Sequence, residues 1–394
     1  MVITGARVFD GDRFTRRDLY IRKGRISEKT DGDFSQARVL DAQGLYAIPG
    51  LVDIHIHGAA GCDVCDGTAE AIERIAAYEA AHGITSMCLT TMTLPKEKLL
   101  TVMRAAREYN AQQLSAASGA QSRKWGDKPD SEARAKLLGI HLEGPFISGN
   151  RVGAQNPDFV CSAEGEWFEE LQREAGGWIC LLTLAPEQGT NMDFIREYAS
   201  RVHISLGHTD CSYDIAKEAF EGGADHLTHL FNAMPGLHHR IPGPIAAAVE
   251  AGAYGELIGD GVHIHPAMVR LAWKLFGAEK MILISDSMRA CGLEDGIYEL
   301  GGQPVELCGN RAVLAEQPEV LAGSVTNLYD CMKQAVRTMG IPLVDAVRAA
   351  TWNPARAIGV DHRVGSLLPG READVLLMDE ELNLIDVIYN KGKV

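Results

Sequence analysis

The chain has 394 residues, 46% of them apolar and 23% charged, an ordinary globular mixture that is long for one typical domain but suits a barrel with an appendage. Its net charge of −15 argues against non-specific binding to nucleic acid or an anionic membrane, so an anionic substrate needs a local cationic pocket. No apolar stretch reaches bilayer length, the start MVITGARVFDG lacks a signal-peptide core, and nine scattered cysteines then read as reduced thiols of a cytoplasmic protein.

Residues 1–50 read as short strands joined by turns: VITGARVFDG, DLYIRKGRIS and ARVLDAQGLYAIPG, punctuated by Asp10-Gly11 and Gly44-Leu45. The tail, GSLLPGREADVLLMDEELNLIDVIYNKGKV, has the same character. The simplest arrangement pairs both chain ends, residues 1–50 and 362–394, into one small β-sandwich domain.

Eight apolar runs follow within residues 51–361: LVDIHIH, ITSMCLTTM, LLGIHLE, WICLLTL, HISLG, HLTHLF, GELIGDGV and MILISDS. Helical stretches such as EAIERIAAYEAAHG and YDIAKEAFEGGA separate most of them, with Gly83 and Gly222 as candidate stops. Eight such units predict an α/β fold, a closed (β/α)₈ TIM barrel. The polar segment 111–136 breaks the pattern and reads as a mobile surface insertion. After the eighth run come a hairpin region, IYELGGQPVELCGNRAVL, and two helices around NLYDCMKQAVRTMG and PLVDAVRAATWN.

Metal-binding side chains end several of these runs: His55 and His57, Glu143, His208 and His229, with Asp286 last. Residues two apart on a strand point the same way, so His55 and His57 can reach one ion together. Parallel barrel strands would bring all six to one face, where barrel enzymes work. Imidazoles with a carboxylate suit zinc, iron, manganese, nickel or cobalt better than calcium or magnesium. Such an ion activates water and polarises a carbonyl, and Asp286 would shuttle the proton. Each piece alone has a plainer reading: a structural HxH, a capping Glu143 or Asp286, a buried His208. The joint pattern is what those readings do not explain. Cys62 and Cys65 form one CxxC without a second pair and read as a loop coincidence. His82 and His203 read as packing or surface residues, and His362 as a residue of the tail.

Beside this set, LFNAMPGLHHRIPGP offers Asn232, Arg240 and many backbone N–H groups. It suits a phosphate or carboxylate and suits an ordinary polar loop equally well. His263, in DGVHIHP, could polarise a substrate carbonyl.

The motifs PGLVDIHIHG (49–58), HLEGPFI (141–147), GHT (207–209), THLFNAM (228–234), DGVHIHP (260–266), SDSM (285–288), LAGS (321–324) and TWNPAR (351–356) resemble the amidohydrolase superfamily, and within it the N-acetylglucosamine-6-phosphate deacetylases. The resemblance runs end to end. It implies hydrolysis of the acetamide of N-acetylglucosamine 6-phosphate by a metal-activated water, giving glucosamine 6-phosphate. By it Glu143, His208 and His229 hold the principal ion, zinc first among the candidates. His55 and His57 hold a second, so one or two ions are implied. Asp286 becomes the general base then acid, and His263 the partner of the acetamide carbonyl. Asn232, the backbone of Ala233, and Arg240 resemble the phosphate pocket, with Arg240 reaching into a neighbouring subunit of a homodimer. Leu321 and Ala322 belong to a loop that closes on the sugar. Two departures stand out: Ile241 replaces the acidic residue of HREPG, and Gln155 replaces the histidine of GAHNP. Gln155 still hydrogen-bonds a sugar hydroxyl in this reading but carries no charge. The open rivals are an amidohydrolase acting on another N-acyl compound, a scaffold that kept the fold, and a structural-metal protein.

Overall fold

The computed structural model describes residues 1–116 and 133–389. Eight parallel strands form one sheet in chain order: β1 (Leu51–Ile56), β2 (Ile84–Thr90), β3 (Lys136–Glu143), β4 (Ile179–Leu184), β5 (His203–Leu206), β6 (His226–Leu227), β7 (Tyr254–Ile258) and β8 (Met281–Ile284). Each predicted run supplies one strand. Just beyond β8 the seam to β1 is laced. The Asp286 N–H donates to the His55 carbonyl and the His57 N–H to the Ser287 carbonyl, both at 2.9 Å. The barrel is thereby nearly closed.

Strand alternation decides what the barrel contains. In β1, Val52 and Ile54 share an apolar cluster with Ala355 and Ala357 from the last helix. Asp53 and His55 take the other side and are fully buried. That inner surface is unusually polar for a barrel of this kind, where branched aliphatic side chains normally fill the interior. The His141 ring meets Thr183 Oγ1 at 2.7 Å, Thr183 meets Thr228 at 2.7 Å, and Thr228 meets Ser205 at 2.5 Å. Buried hydroxyls and imidazoles satisfy one another there, as buried polar groups must.

The helices take the expected places. Ala69–Ala81 follows β1, with Thr68 accepting the Ala71 N–H as its cap and Ile72, Ile75 and Ala76 buried at helical spacing. Gly83, at φ +86°, turns the chain out of it into β2. Ser212 caps Tyr213–Glu221 in the same way.

Both chain ends meet beside the barrel. Tyr46–Pro49 lies between Arg7–Phe9, parallel, and Val375–Met378 from the tail, antiparallel, in a five-stranded sheet. A four-stranded sheet carries Val2–Thr4 and Leu19–Arg22. The two share an apolar cluster with Ile3, Leu19 and Leu40 on one side and Val8, Ala47 and Leu377 on the other. This is a sandwich core separate from that of the barrel.

Three details differ from the sequence reading. The helix after β2 runs Lys96–Ala116 and β3 begins at Lys136, so both edges of segment 111–136 are regular structure. The remainder of that segment, residues 117–132, lies outside the described residues. The hairpin region is a four-stranded antiparallel meander, Gly296–Leu300, Gln303–Cys308, Arg311–Leu314 and Gln317–Leu321. Finally, a third helix, Trp352–Ala357, follows the two expected ones, anchored by Asn353 donating to the carbonyls of Ala278 and Met281.

One ion cluster ties the sandwich to the barrel. Lys136, first residue of β3, lies 2.6 Å from Glu372 and 2.7 Å from Asp374, and Arg363 reaches Glu372 at 3.1 Å. Burial raises the Glu372 carboxyl, but Lys136 and Arg363 outweigh it and hold it below the ordinary glutamate range. Lys136→Met leaves two buried carboxylates together and costs about 3 kcal/mol, read as a lower urea midpoint at neutral pH. Because the folded-state value is depressed, this contribution is complete above the ordinary glutamate range and is lost as pH falls through it toward the folded value. The gap between wild type and variant must therefore narrow in acid. A gap that is absent at neutral pH, or that widens in acid, refutes the assignment.

Candidate active site

Glu143 ends β3, and its carboxylate is the hub of the site. Oε1 lies 3.2 Å from His208 Nε2 and 3.1 Å from His229 Nε2, and the two nitrogens are 3.1 Å apart. Donors of a tetrahedral site with bonds of about 2.0–2.1 Å are about 3.3 Å apart, so this triangle is one that a small divalent ion spans. The tautomer agrees. His208 Nδ1 lies 2.9 Å from the Arg151 carbonyl, which only accepts, so Nδ1 carries the proton and Nε2 presents its lone pair.

The second half of the site adjoins both oxygens, His57 at Oε2 and His55 at Oε1. His57 Nε2 lies 3.3 Å from Glu143 Oε2 and 3.2 Å from Asp286 Oδ1. His55 Nδ1 lies 2.9 Å from Glu256 Oε2, which turns Nε2 to within 3.5 Å of both Glu143 and Asp286. That Nε2 is buried without a hydrogen-bond partner, as are His57 Nδ1 and His229 Nδ1. An orphaned imidazole nitrogen aimed at two carboxylates is a donor set with its charge missing.

The electrostatics say the same. Burial works against charge at Glu143, yet His55, His208 and His229 hold its carboxyl far below the glutamate range. Burial likewise opposes ionisation of Asp286, but His55 and His57 outweigh it and hold it at about 2. Burial lowers His55, but Glu143 and Asp286 drive it well above the ordinary imidazole value. The pocket favours positive charge beside its carboxylates, which a divalent ion would supply.

Backbone strain places three of these side chains. His208 (φ +46°), His229 (φ +25°) and Asp286 (φ +49°) all adopt the left-handed region that L residues avoid, each just past a strand end. Ala233 does so as well, at φ +48°. Surrounding hydrogen bonds hold Asp286 there: its N–H goes to His55 and its carbonyl accepts the Ser324 N–H at 2.7 Å.

A cavity of about 300 Å³ opens over the cluster. His57, Glu143, His208, His229 and Asp286 form its floor, while His55 lies buried beneath. His263, Asn232, Ala233, Gln155 and Leu321 also line it. His263 sits in the loop after β7, its Nδ1 2.7 Å from Asp260 Oδ2, so Nε2 is left to meet a ligand. Burial lowers its imidazole, but Asp260 raises it above the ordinary value. Ala322 is fully buried and does not line the cavity. Arg240 lies outside it too, on an exposed loop against His239. His265 caps helix Pro266–Phe276, its side chain accepting the Ala267 N–H.

Sequence reasoning missed the supports. Glu256 was visible as a lone acid in the apolar run GELIG, and Asp260 as an acid three residues before His263. Met92, Glu319 and Val320 also line the cavity and carried no signal. Among the peripheral histidines, His82 bonds the Tyr78 carbonyl at 2.8 Å and His203 bonds Asp225 at 2.6 Å. All nine cysteines are free, Cys62 and Cys65 included.

The amidohydrolase family profile matches residues 46–393. N-acetylglucosamine-6-phosphate deacetylase of Bacillus subtilis (strain 168) is 37% identical over 340 residues, 86% of this chain and 82% of that protein. N-acetylgalactosamine-6-phosphate deacetylase of Escherichia coli O157:H7 is 33% identical over 348 residues, 88% and 86% of the two chains. A variant of the Mycobacterium smegmatis N-acetyl-D-glucosamine-6-phosphate deacetylase, solved in complex with N-acetyl-D-glucosamine-6-phosphate, superimposes with a TM-score of 0.87 at 30% identity, covering 99% of this chain and 98% of that one. By its barrel, its Glu–His donor set and these relatives, the chain belongs to the amidohydrolase family and, within it, to the N-acetylglucosamine-6-phosphate deacetylases.

Proposed function

We propose that this site removes acetate from N-acetylglucosamine 6-phosphate with Asp286 as the proton carrier, His263 as the carbonyl partner and two divalent ions as cofactor. The observation that carries the reading is the meeting of the Glu143–His208–His229 triangle, Asp286 and His263 at one cavity. Glu143, His208 and His229 would hold the principal ion; His55 and His57, with the other Glu143 oxygen, would hold the second. The imidazole-carboxylate set suits zinc first, with iron, manganese, nickel and cobalt accepted by the same donors. A bound ion supplies an activated water and polarises the amide carbonyl.

The chain's own groups do the rest. Asp286 takes the proton of the attacking water and passes it to the amine nitrogen as the C–N bond breaks. His263, steadied by Asp260, donates to the acetamide oxygen as negative charge develops there. Asn232 and the Ala233 backbone address the phosphate, and Leu321 covers the sugar; Gln155 lines the cavity with its carboxamide bonded to Thr93 and Glu143. Arg240 comes from the second subunit of a homodimer. Its absence from its own chain's cavity and the 66% exposure of Ile241 beside it support that arrangement. Free thiols throughout support a cytoplasmic location. No helix among the described residues is long and apolar enough to cross a membrane.

The test is acetate release from N-acetylglucosamine 6-phosphate, its galactosamine epimer and unphosphorylated N-acetylglucosamine, on protein assayed for bound metal. We expect fast release from the glucosamine ester, slow release from the free sugar, and loss of both on chelation with recovery on adding zinc. The galactosamine relative makes the epimer the second reading, and a faster rate on it would transfer the assignment. No release from any of the three by metal-replete protein would refute the assigned substrate.

A further inference from the structure

Glu143 is the ligand common to both halves of the site, and its two oxygens are differently occupied. Oε1 faces His208 and His229 and has His55 Nε2 at 3.5 Å, while Oε2 faces His57 at 3.3 Å. Oε2 also accepts a hydrogen bond from Gln155 Nε2 at 2.8 Å. The other end of that carboxamide accepts the Thr93 N–H at 2.6 Å. Gln155 is 2% exposed, so its amide is committed: one end to the start of the loop after β2, the other to the metal-site carboxylate.

The segment carrying Gln155 is itself pinned to the site. The Ser148 N–H donates to the His208 carbonyl at 2.8 Å, and the Gln155 N–H to the Val152 carbonyl at 2.9 Å. The Arg151 carbonyl takes the His208 Nδ1 proton, and Gln303 Nε2 donates to the Ala154 carbonyl at 2.7 Å. Residues 148–155 therefore supply the outer partner of two ligands, His208 through a backbone carbonyl and Glu143 through a side chain. A carboxylate turns freely about its last bond unless something holds its plane. Left alone beside one ion, Glu143 can swing both oxygens onto it and abandon His57. A neutral N–H donor on Oε2 opposes that swing and takes only one of the oxygen's two lone pairs, leaving the other for a second ion.

We propose that Gln155 is a positioning residue: it holds Glu143 with Oε1 toward His208 and His229 and Oε2 toward His57, and thereby sets how many divalent ions the enzyme retains. This rests on the two-ion reading above and goes beyond a role at the sugar. Its chemistry follows from residue type. A shorter amide cannot span from Thr93 to Glu143, and an aliphatic side chain cannot donate.

The experiment is Zn²⁺ binding to metal-free wild type, Gln155→Leu and Gln155→Asn across buffered free-ion concentrations, counting bound ions by native mass spectrometry. Wild type should bind two. Both variants should retain the tighter ion and hold the weaker one about 10–100-fold less well, the usual effect of losing an outer partner. Agreement between an apolar and a polar substitution separates the lost hydrogen bond from misfolding. Wild type that stops at one ion in saturating zinc overturns the two-ion reading, and the proposal with it. Two ions in wild type with both affinities unchanged in the variants overturns the Gln155 role alone. Equal weakening of both ions also overturns it, since Gln155 would then support the site without discriminating between its halves.

Discussion

Asp286→Asn lowers kcat on N-acetylglucosamine 6-phosphate by about 10³–10⁴-fold while the ion between Glu143, His208 and His229 stays bound. Asparagine preserves the size of the side chain and can still accept a hydrogen bond, but it cannot take up the proton of the attacking water or return it to the leaving nitrogen. The backbone should tolerate the change. Asp286 sits at φ +49°, a region that asparagine enters more readily than most residues. Its N–H and carbonyl bonds to His55 and Ser324 do not involve the side chain. KM should change less than kcat, because the proton transfer belongs to the transition state and not to ground-state binding. Metal content by mass spectrometry and steady-state rates together decide the matter. Near-normal turnover would remove Asp286 from the chemistry. Loss of the principal ion would recast it as a structural group.

The parts of this site that a sequence reader could see are those where local geometry forces the outcome. His55 and His57 lie on one side of β1 because a strand repeats every two residues, and no tertiary information is needed. Glu143 is legible because HLEGP closes an apolar run with an acid. His208, His229 and Asp286 could be assigned to strand ends, but their aim could not be read. Each points inward through a left-handed backbone conformation that histidine and aspartate enter too seldom for the sequence to announce it. Gln155 is the clearest limit. Its partner is twelve residues away across an irregular loop, and only the tertiary fold brings carboxamide to carboxylate. The fold shows the same division. Eight runs announced eight strands, whereas the link from Lys136 to Glu372 and Asp374 spans more than two hundred residues and left no local trace. The meander after β8 was compressed into a hairpin region because its last strand, QPEVL, lacks alternation, carries a proline and buries none of its residues fully. That strand leads into the cavity wall at Val320 and Leu321, so the sequence was least readable close to the substrate.

Arg240→Ala should lower kcat/KM on the phosphate ester by about 10²–10³-fold, the scale of losing a desolvated charge partner, and collapse the preference for the ester over the free sugar. The geometry makes a sharper demand. Arg240 lies outside the cavity of its own chain, whereas Asn232, eight residues earlier, lines it. If the guanidinium serves a neighbour's phosphate, each active site combines Asp286 from one chain with Arg240 from the other. Mixing the inactive Asp286→Asn and Arg240→Ala proteins under conditions that exchange subunits then produces hybrids with one doubly damaged site and one intact site. Random pairing makes half the dimers hybrid, so about a quarter of all sites recover full activity from two poor parents. An arginine acting within its own chain cannot complement in this way, since every site in the hybrid would carry one defect. Recovery therefore reports the shared site and the dimer together. A mixture no more active than the average of its parents, with subunit exchange verified by native mass spectrometry, would place the phosphate partner within the chain and direct attention to the backbone N–H groups around Ala233.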